Sequence, residues 1–172
     1  RQKGARTKSG FHDVNTFLNI PPHDYSGVQS IQDFVAGKDA QGHTPLSLAD
    51  LIERDVEVAE ETLKELGEVK DKELRLTIDD IKTVCEMGQY YADKIRGATY
   101  VALARESKEK VDKDKAVVAL TRAADHYKAY VALVTANHTN EVWFNRVGTL
   151  NFKDQIEDAM LDIGFANEIE VK

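Results

Sequence analysis

The longest regular pattern of apolar positions runs from Lys72 to Arg105. Apolar or small residues recur there at alternating intervals of four and three, which is the spacing of one face of an α-helix. This stripe consists of Leu74, Ile78, Ile81, Cys85, Gly88, Ala92, Ile95, Thr99 and Ala102. A second row beside it consists of Val84, Tyr91 and Ala98. The pattern predicts a single long helix.

About 34 residues at about 1.5 Å each make a rod on the order of 50 Å long. A rod of that length with so apolar a face needs partner helices to cover it. We therefore expect both Ile81 and Ile95 to be buried. Gly88 costs the helix about 1 kcal/mol relative to alanine, and we interpret it as a point where a neighbouring helix approaches closely.

A second long helix is predicted from Thr44-Pro45, an N-cap hydroxyl followed by proline at the first helical position, to Gly67. Its apolar stripe consists of Ala49, Ile52, Val56, Ala59, Leu63 and Leu66. Its other face is acidic and is expected to be solvated surface, formed by Glu53, Glu57, Glu60, Glu61 and Glu65.

A third helix is predicted to start at Asp112 or Asp114 and to end near His138, with its stripe at Ala116, Leu120, Ala123, Tyr127, Tyr130 and Val134. The next stretch, TNEVWFNRVGTL, breaks the period and is expected to be a loop; no segment shows a strand pattern. Asn151 with Asp154 predicts the N-cap of a fourth helix, which continues to the end through Ile156, Met160, Ile163, Ala166 and Ile169.

Residues 1–25 are predicted to form an irregular N-terminal arm or linker, packed through Phe17, Leu18 and Ile20, because Pro21-Pro22 forces extended backbone. Residues 26–36 predict a short helix with Ser26 as its N-cap.

Residues 26–172 are then one helical domain. Since the connections are short or moderate in length, the predicted fold class is all-α, an antiparallel up-down helical bundle of three to four long helices plus a short N-terminal helix. A helical-repeat solenoid is the weaker alternative.

Chain length, net charge and cysteine count limit the kinds of function that this protein can have. The 172 residues suffice for one domain with a core, and the net charge of −7 argues against nucleic acid or an anionic membrane as a partner. No apolar run reaches the roughly 20 residues of a membrane span. The single cysteine, Cys85, lies on an apolar stripe and is expected to be a buried thiol. Because the chain begins at Arg1 and its first methionine is Met87, we expect a processed protein or a fragment.

No residue pattern predicts catalysis, a metal site or a cofactor. His126 and His138 are twelve positions apart on one helix, roughly 18 Å along its axis, so they cannot share an ion. The composition of Trp143, Asn145 and Arg146 suits a carbohydrate contact, because sugars dock on exposed aromatic faces flanked by hydrogen-bonding groups. The competing interpretation is that Trp143 caps the end of the core.

Three stretches carry a resemblance to a known family: GHTPLSLADLIERD, ELRLTIDDIKTVCEMGQYYADKIRGATYVALA and ADHYKAYVALVTANHTNEVWFNRVGTLNF. They resemble the C-terminal helical region of large bacterial polysaccharide-active proteins in which a glycoside-hydrolase-like, α-glucuronidase-related barrel comes first and which are often labelled carbohydrate-binding. The segments YYADKIRGA and VWFNRVG are the most specific, and the resemblance covers roughly residues 20 to 165. It implies a secreted or periplasmic parent and transfers no site residues.

The predicted function is therefore a non-catalytic helical accessory domain of a multidomain bacterial carbohydrate-active protein, which supports the catalytic domain or contacts polysaccharide. Its expected partners are a polysaccharide or an upstream catalytic domain. The alternative is a stand-alone helical bundle that mediates protein–protein interaction through its acidic or aromatic surface. A stand-alone enzyme is the least favoured class, because no nucleophile or acid–base pair emerges.

Overall fold

The computed structural model describes residues 11–144 and 148–172; the side chains of residues 143 and 144 lie outside this description. Its elements are α1 Val14–Asn19, α2 Ile31–Val35, α3 Pro45–Glu65, α4 Lys72–Ser107, α5 Lys110–Asn137, β1 Glu141–Phe144, β2 Gly148–Asn151 and α6 Phe152–Asn167. The described chain is mostly helical, which confirms the all-α prediction. None of its helices is long and apolar enough to cross a membrane.

Helix α4 organises the packing. Asp71 caps its first turn by accepting a hydrogen bond from the Leu74 N–H, and Lys108 ends it in the left-handed conformation. Helices α3 and α5 both pack along α4, and α6 packs on α5. Helix α5 is antiparallel to α4, since His138 near its end lies 3.4 Å from Asp80 near the start of α4.

The apolar stripe of α4 is only partly covered, and the prediction that Ile81 is buried is wrong. Leu74, Ile81 and Val84 are 45%, 38% and 70% exposed, whereas Cys85 and the residues around Lys94 are buried. The short helices α1 and α2 pack on α4, with Phe17 of α1 stacked on Tyr91. They therefore cover its second half, whereas the face of the first half that carries Leu74, Ile81 and Val84 remains exposed. Ile95 is half-buried.

Two glycines of α4 allow neighbouring helices to approach. A Cβ at Gly88 would lie 2.6 Å from Cγ2 of Val56 on α3, which confirms the expected close contact there. A Cβ at Gly97 would lie 2.5 Å from both Cγ and Cδ2 of Leu120 on α5, a contact that the sequence did not indicate. The glycines thus bring α4 close to both of its long neighbours.

Both predicted ends of α3 and the predicted start of α6 are confirmed. The Thr44 hydroxyl accepts from the Ser47 N–H, Gly67 follows α3 with a φ of +61°, and Asn151 accepts from the Asp154 N–H. Two other predicted caps are wrong. Helix α2 is capped by Ser30 rather than Ser26, and α5 begins after Glu109 rather than at Asp112 or Asp114.

The predicted loop after α5 contains a β-hairpin. Strands β1 and β2 pair antiparallel, with Val142 opposite Leu150 and Trp143 opposite Thr149. Each strand has four residues, EVWF and GTLN, and neither alternates apolar and polar positions, so the sequence lacks the usual strand signal.

The segment predicted as irregular arm contains helix α1. Asp13 caps it by accepting from the Thr16 N–H at 2.8 Å. Phe11, Val14 and Leu18 are buried, whereas Ile20, which was expected to pack, is largely exposed. Six residues make too short a helix to form alone, so tertiary contacts hold it in place.

Candidate functional site

An aromatic cleft of about 330 Å³ lies where α1, α4, α5, α6 and the hairpin meet. Residues from all five elements or their flanking turns line it. They are Phe11, His12, Phe17, Met87, Tyr90, Tyr91, Tyr127, Tyr130, Leu150, Phe152 and Gln155. Tyr91, one of the lining residues, is exposed, so the cleft is accessible to solvent at that residue.

Packed aromatic rings form the floor of the cleft. The Tyr90 and Tyr127 rings have centroids 5.0 Å apart, and Phe11 meets Tyr127 edge to face at 5.9 Å. The wall continues from Tyr127 to Tyr130 at 5.6 Å and from Tyr130 to Phe152 at 6.1 Å. These contacts give the cleft fixed aromatic surfaces.

The polar groups of the cleft are mainly neutral. The Tyr127 hydroxyl donates to Oε1 of the buried Gln155. Burial raises the pKa of Tyr127 and of Tyr90 well above the ordinary tyrosine value, so both hydroxyls remain protonated near neutral pH. The cleft therefore combines ring faces with hydroxyl and amide groups.

A buried ion pair between Lys94 and Asp162 contacts the Tyr90 and Phe11 side chains that form the floor of the cleft. Nζ of Lys94 lies 2.8 Å from Oδ2 of Asp162, donates to the Tyr90 hydroxyl at 2.7 Å and lies 3.9 Å from the centroid of the Phe11 ring. The other carboxylate oxygen of Asp162 accepts from the Val14 N–H at 3.0 Å. The pair thus joins α1, α4 and α6.

Burial sets the protonation behaviour of this pair. It lowers the pKa of the Lys94 ammonium and raises the pKa of the Asp162 carboxyl, while the attraction between the two groups opposes each change. Both side chains are almost completely buried. Each charge consequently depends on the other to offset its desolvation.

The accessible rim suits a hydroxyl-rich ligand with one apolar face. Tyr91 is 44% exposed and stacks on Phe17 with ring centroids 6.4 Å apart, while Tyr130, Phe152 and Leu150 are half-buried. An exposed ring face offers apolar contact, and nearby hydroxyl and amide groups offer hydrogen bonds that fix orientation.

The predicted carbohydrate contacts fall largely outside the described residues. Asn145, Arg146 and the side chain of Trp143 belong to that part, so their role stays a prediction. The backbone of Trp143 lies in β1 opposite Thr149. The adjacent pair of the hairpin includes Leu150, which lines the cleft. The hairpin that carries Trp143 therefore borders the aromatic cleft.

A second charged cluster joins α3, α4 and α5. Arg96 pairs with Asp50 at 2.8 Å, with Glu53, and with the buried Asp93 at 3.4 Å. Arg122 lies 3.1 Å from both Glu53 and Asp93. Glu53 is therefore not part of a solvated acidic face, as the sequence pattern indicated, but is a cross-link between three helices.

The charged cluster gives Glu53 a testable pH dependence. Burial raises the pKa of its carboxyl, but hydrogen bonds and charge from Arg96 and Arg122 outweigh burial, and the net pKa lies below the ordinary value. A depressed folded-state pKa stabilises the fold above the unfolded-state pKa, and this stabilisation is lost as pH falls through the folded-state pKa. Glu53→Gln should cost roughly 1 kcal/mol near neutral pH, the difference between a charge-assisted and a neutral hydrogen bond.

Urea unfolding at neutral pH and at about pH 3 measures this cost. The difference between Glu53→Gln and the unmodified chain should shrink in acid, because protonated glutamate is itself neutral. Glu57→Gln, an exposed carboxylate one turn further along α3, is the matched control and should change little at either pH. An undiminished cost at pH 3 would show that the ion pairs do not stabilise the fold.

Among the described residues, no group of histidine, cysteine and carboxylate side chains could hold a metal ion. Nδ1 of His126 lies 2.8 Å from Glu86, and His138 lies beside Asp80. Cys85 is buried as expected, and burial raises the pKa of its thiol. These side chains fit structural roles.

No family model matches the chain, and neither the curated proteins nor the solved structures provide a match. The resemblance to the helical region of polysaccharide-active proteins therefore stays a prediction.

Proposed function

We propose that this chain is a non-catalytic accessory domain of a multidomain bacterial carbohydrate-active protein, in which an up-down bundle of its long helices presents the aromatic cleft to polysaccharide. The parent is then secreted or periplasmic. The observation that carries the proposal is the cleft itself. It places partly exposed tyrosine rings beside neutral hydrogen-bonding groups.

The chemistry of the cleft favours sugar over other ligands. Tyr91 and Tyr130 present rigid ring faces at the rim, and the Gln155–Tyr127 hydrogen bond holds the polar groups of the floor in place. Lys94 and Asp162 are paired beneath the floor rather than directed into it. A neutral ligand with one apolar face, such as a pyranose ring, matches these properties.

Affinity gel electrophoresis with soluble xylan, mannan and β-glucan tests the proposal. We expect the chain to be retarded by at least one of these polysaccharides. Tyr91→Ala and Tyr130→Ala should each weaken that retardation by about tenfold, as expected for the loss of an aromatic anchor. Tyr25→Ala is the matched control, because Tyr25 is 93% exposed and does not line the cleft.

A fluorescence titration with the same polysaccharides tests the hairpin. Trp143 is the single tryptophan, so a change in tryptophan fluorescence on adding a retarding polysaccharide would place the ligand at β1. Retardation lost in Tyr91→Ala without a fluorescence change would confine the ligand to the cleft. Absence of retardation by every polysaccharide, or retardation unaffected by both cleft variants, would overturn the proposed function.

A further inference from the structure

Exposed apolar side chains form a stripe on one face of α4, beside the close contact between Gly88 and Val56 of α3. Leu74, Ile81, Val84 and Tyr91 follow one another at intervals of seven, three and seven, which places them on one face of the helix. All four are exposed. Seventeen residues separate the first from the last, so the stripe is about 26 Å long. A helix face of this kind is typical of an interaction surface.

The charge around the stripe restricts what can cover it. Residues 53–86, which form the end of α3, the turn and the first half of α4, contain twelve Asp or Glu and six Lys or Arg. They carry a net charge of −6, almost all of the −7 of the whole chain. Glu73 and Asp80 are exposed and precede Leu74 and Ile81, so they border the stripe on one side.

Two occupants are disfavoured by this charge. A second copy of the chain would bring one net charge of −6 against another, and like charges facing each other oppose association. An anionic membrane would be repelled in the same way. A cationic occupant would instead be attracted to this negatively charged part of the chain.

We propose that the open face of α4 binds a basic amphipathic helix of a protein partner, whose apolar side covers Leu74, Ile81 and Val84 and whose lysine or arginine side chains face Glu73 and Asp80. Such a helix would use the common mode in which apolar anchors at helical spacing lie in a groove. This inference does not rest on sugar binding in the cleft.

A synthetic helix tests the proposal. The probe is a fluorescently labelled peptide of about 18 residues, long enough to cover roughly 27 Å, with leucines on one face and lysines on the flanks. Fluorescence anisotropy with the full chain should show saturable binding that weakens about tenfold when salt rises from roughly 50 to 300 mM, since exposed charges are then screened. The same peptide with glutamate in place of lysine should not bind.

Variants locate the site. Val84→Asp should weaken peptide binding by about tenfold, as for the loss of an interface anchor, and should leave the polysaccharide retardation of the cleft unchanged. Val118→Asp is the control, because Val118 is 59% exposed on α5 outside the stripe. Circular dichroism of both variants verifies that they fold.

Three results would overturn the proposal. The first is equal binding of the lysine and glutamate peptides, and the second is equal loss of binding in Val84→Asp and Val118→Asp. The third is sedimentation of the unmodified chain as a dimer that Val84→Asp dissociates, which would make a second copy the occupant.

Discussion

Removing one partner of the Lys94–Asp162 pair should lower the free energy of unfolding by about 3–5 kcal/mol, because it leaves a buried charge without compensation. Lys94→Met leaves the Asp162 carboxylate unpaired, and Asp162→Asn leaves the Lys94 ammonium unpaired. The double variant Lys94→Met with Asp162→Asn should recover much of the loss. The double variant removes both charges. In the unmodified chain the Val14 N–H donates to Asp162, and the amide oxygen of the new asparagine can accept the same hydrogen bond.

Urea unfolding of the two single variants and the double variant measures the coupling. An exposed pair is the matched control: Lys128 and Asp125 lie 3.0 Å apart on the surface of α5. Removing either should cost no more than about 1 kcal/mol. Strictly additive losses in the Lys94 and Asp162 series would contradict the prediction, since they would mean that the two charges do not interact.

Gly97→Ala should destabilise the chain by about 1–3 kcal/mol through overpacking. Its new methyl group would lie 2.5 Å from Cγ and Cδ2 of Leu120, and Leu120 is buried and has little room to move. Gly164→Ala on α6 is the control, because no atom lies within 4 Å of the added Cβ. There, the usual preference of helices for alanine should stabilise by up to about 1 kcal/mol.

A Leu120→Ala variant tests whether the contact with Leu120 causes the destabilisation by Gly97→Ala. In a Leu120→Ala chain, which is itself less stable by about 2–5 kcal/mol, Gly97→Ala should cost nothing, because the clashing atoms are gone. Residues in direct contact show this non-additivity. An equal cost in both backgrounds would assign the effect to the backbone of α4 instead of its contact with α5.

The long helices could be predicted because each carries its own local signals. Thr44, Pro45 and Gly67 define both ends of α3 without reference to any other part of the chain. Asn151 likewise specifies the start of α6. Capping and periodicity act within a few residues, so a sequence pattern contains them completely.

The features that were not predicted depend on distant contacts. Lys94 and Asp162 look like solvated helix positions in the sequence, and only the packing of α4 against α6 brings them together. Helix α1 is likewise held by Phe11, Val14 and Leu18 against α4, α5 and α6. The aromatic cleft combines side chains from both ends of the chain, so no single stretch indicates it.

Ile81 was predicted to be buried but is exposed. Its position on a regular stripe predicted burial, but periodicity specifies which residues share a face and not how much of that face another element covers. Helices α1 and α2 are too short to cover the whole of α4. The apolar face of α4 was therefore predictable from periodicity, whereas the extent of its burial was not.

The unequal covering of α4 divides one continuous helix into two units of different local stability. Around Lys94, the helix is enclosed by α1, α5 and α6, so we expect its backbone hydrogen bonds to break only when the whole domain unfolds. From Lys72 to Val84 few buried apolar contacts hold the helix, and segments of this kind open locally at a lower free energy than the global value. A partner that covers this half would therefore increase the cooperativity of unfolding as well as bind, by joining the two units into one.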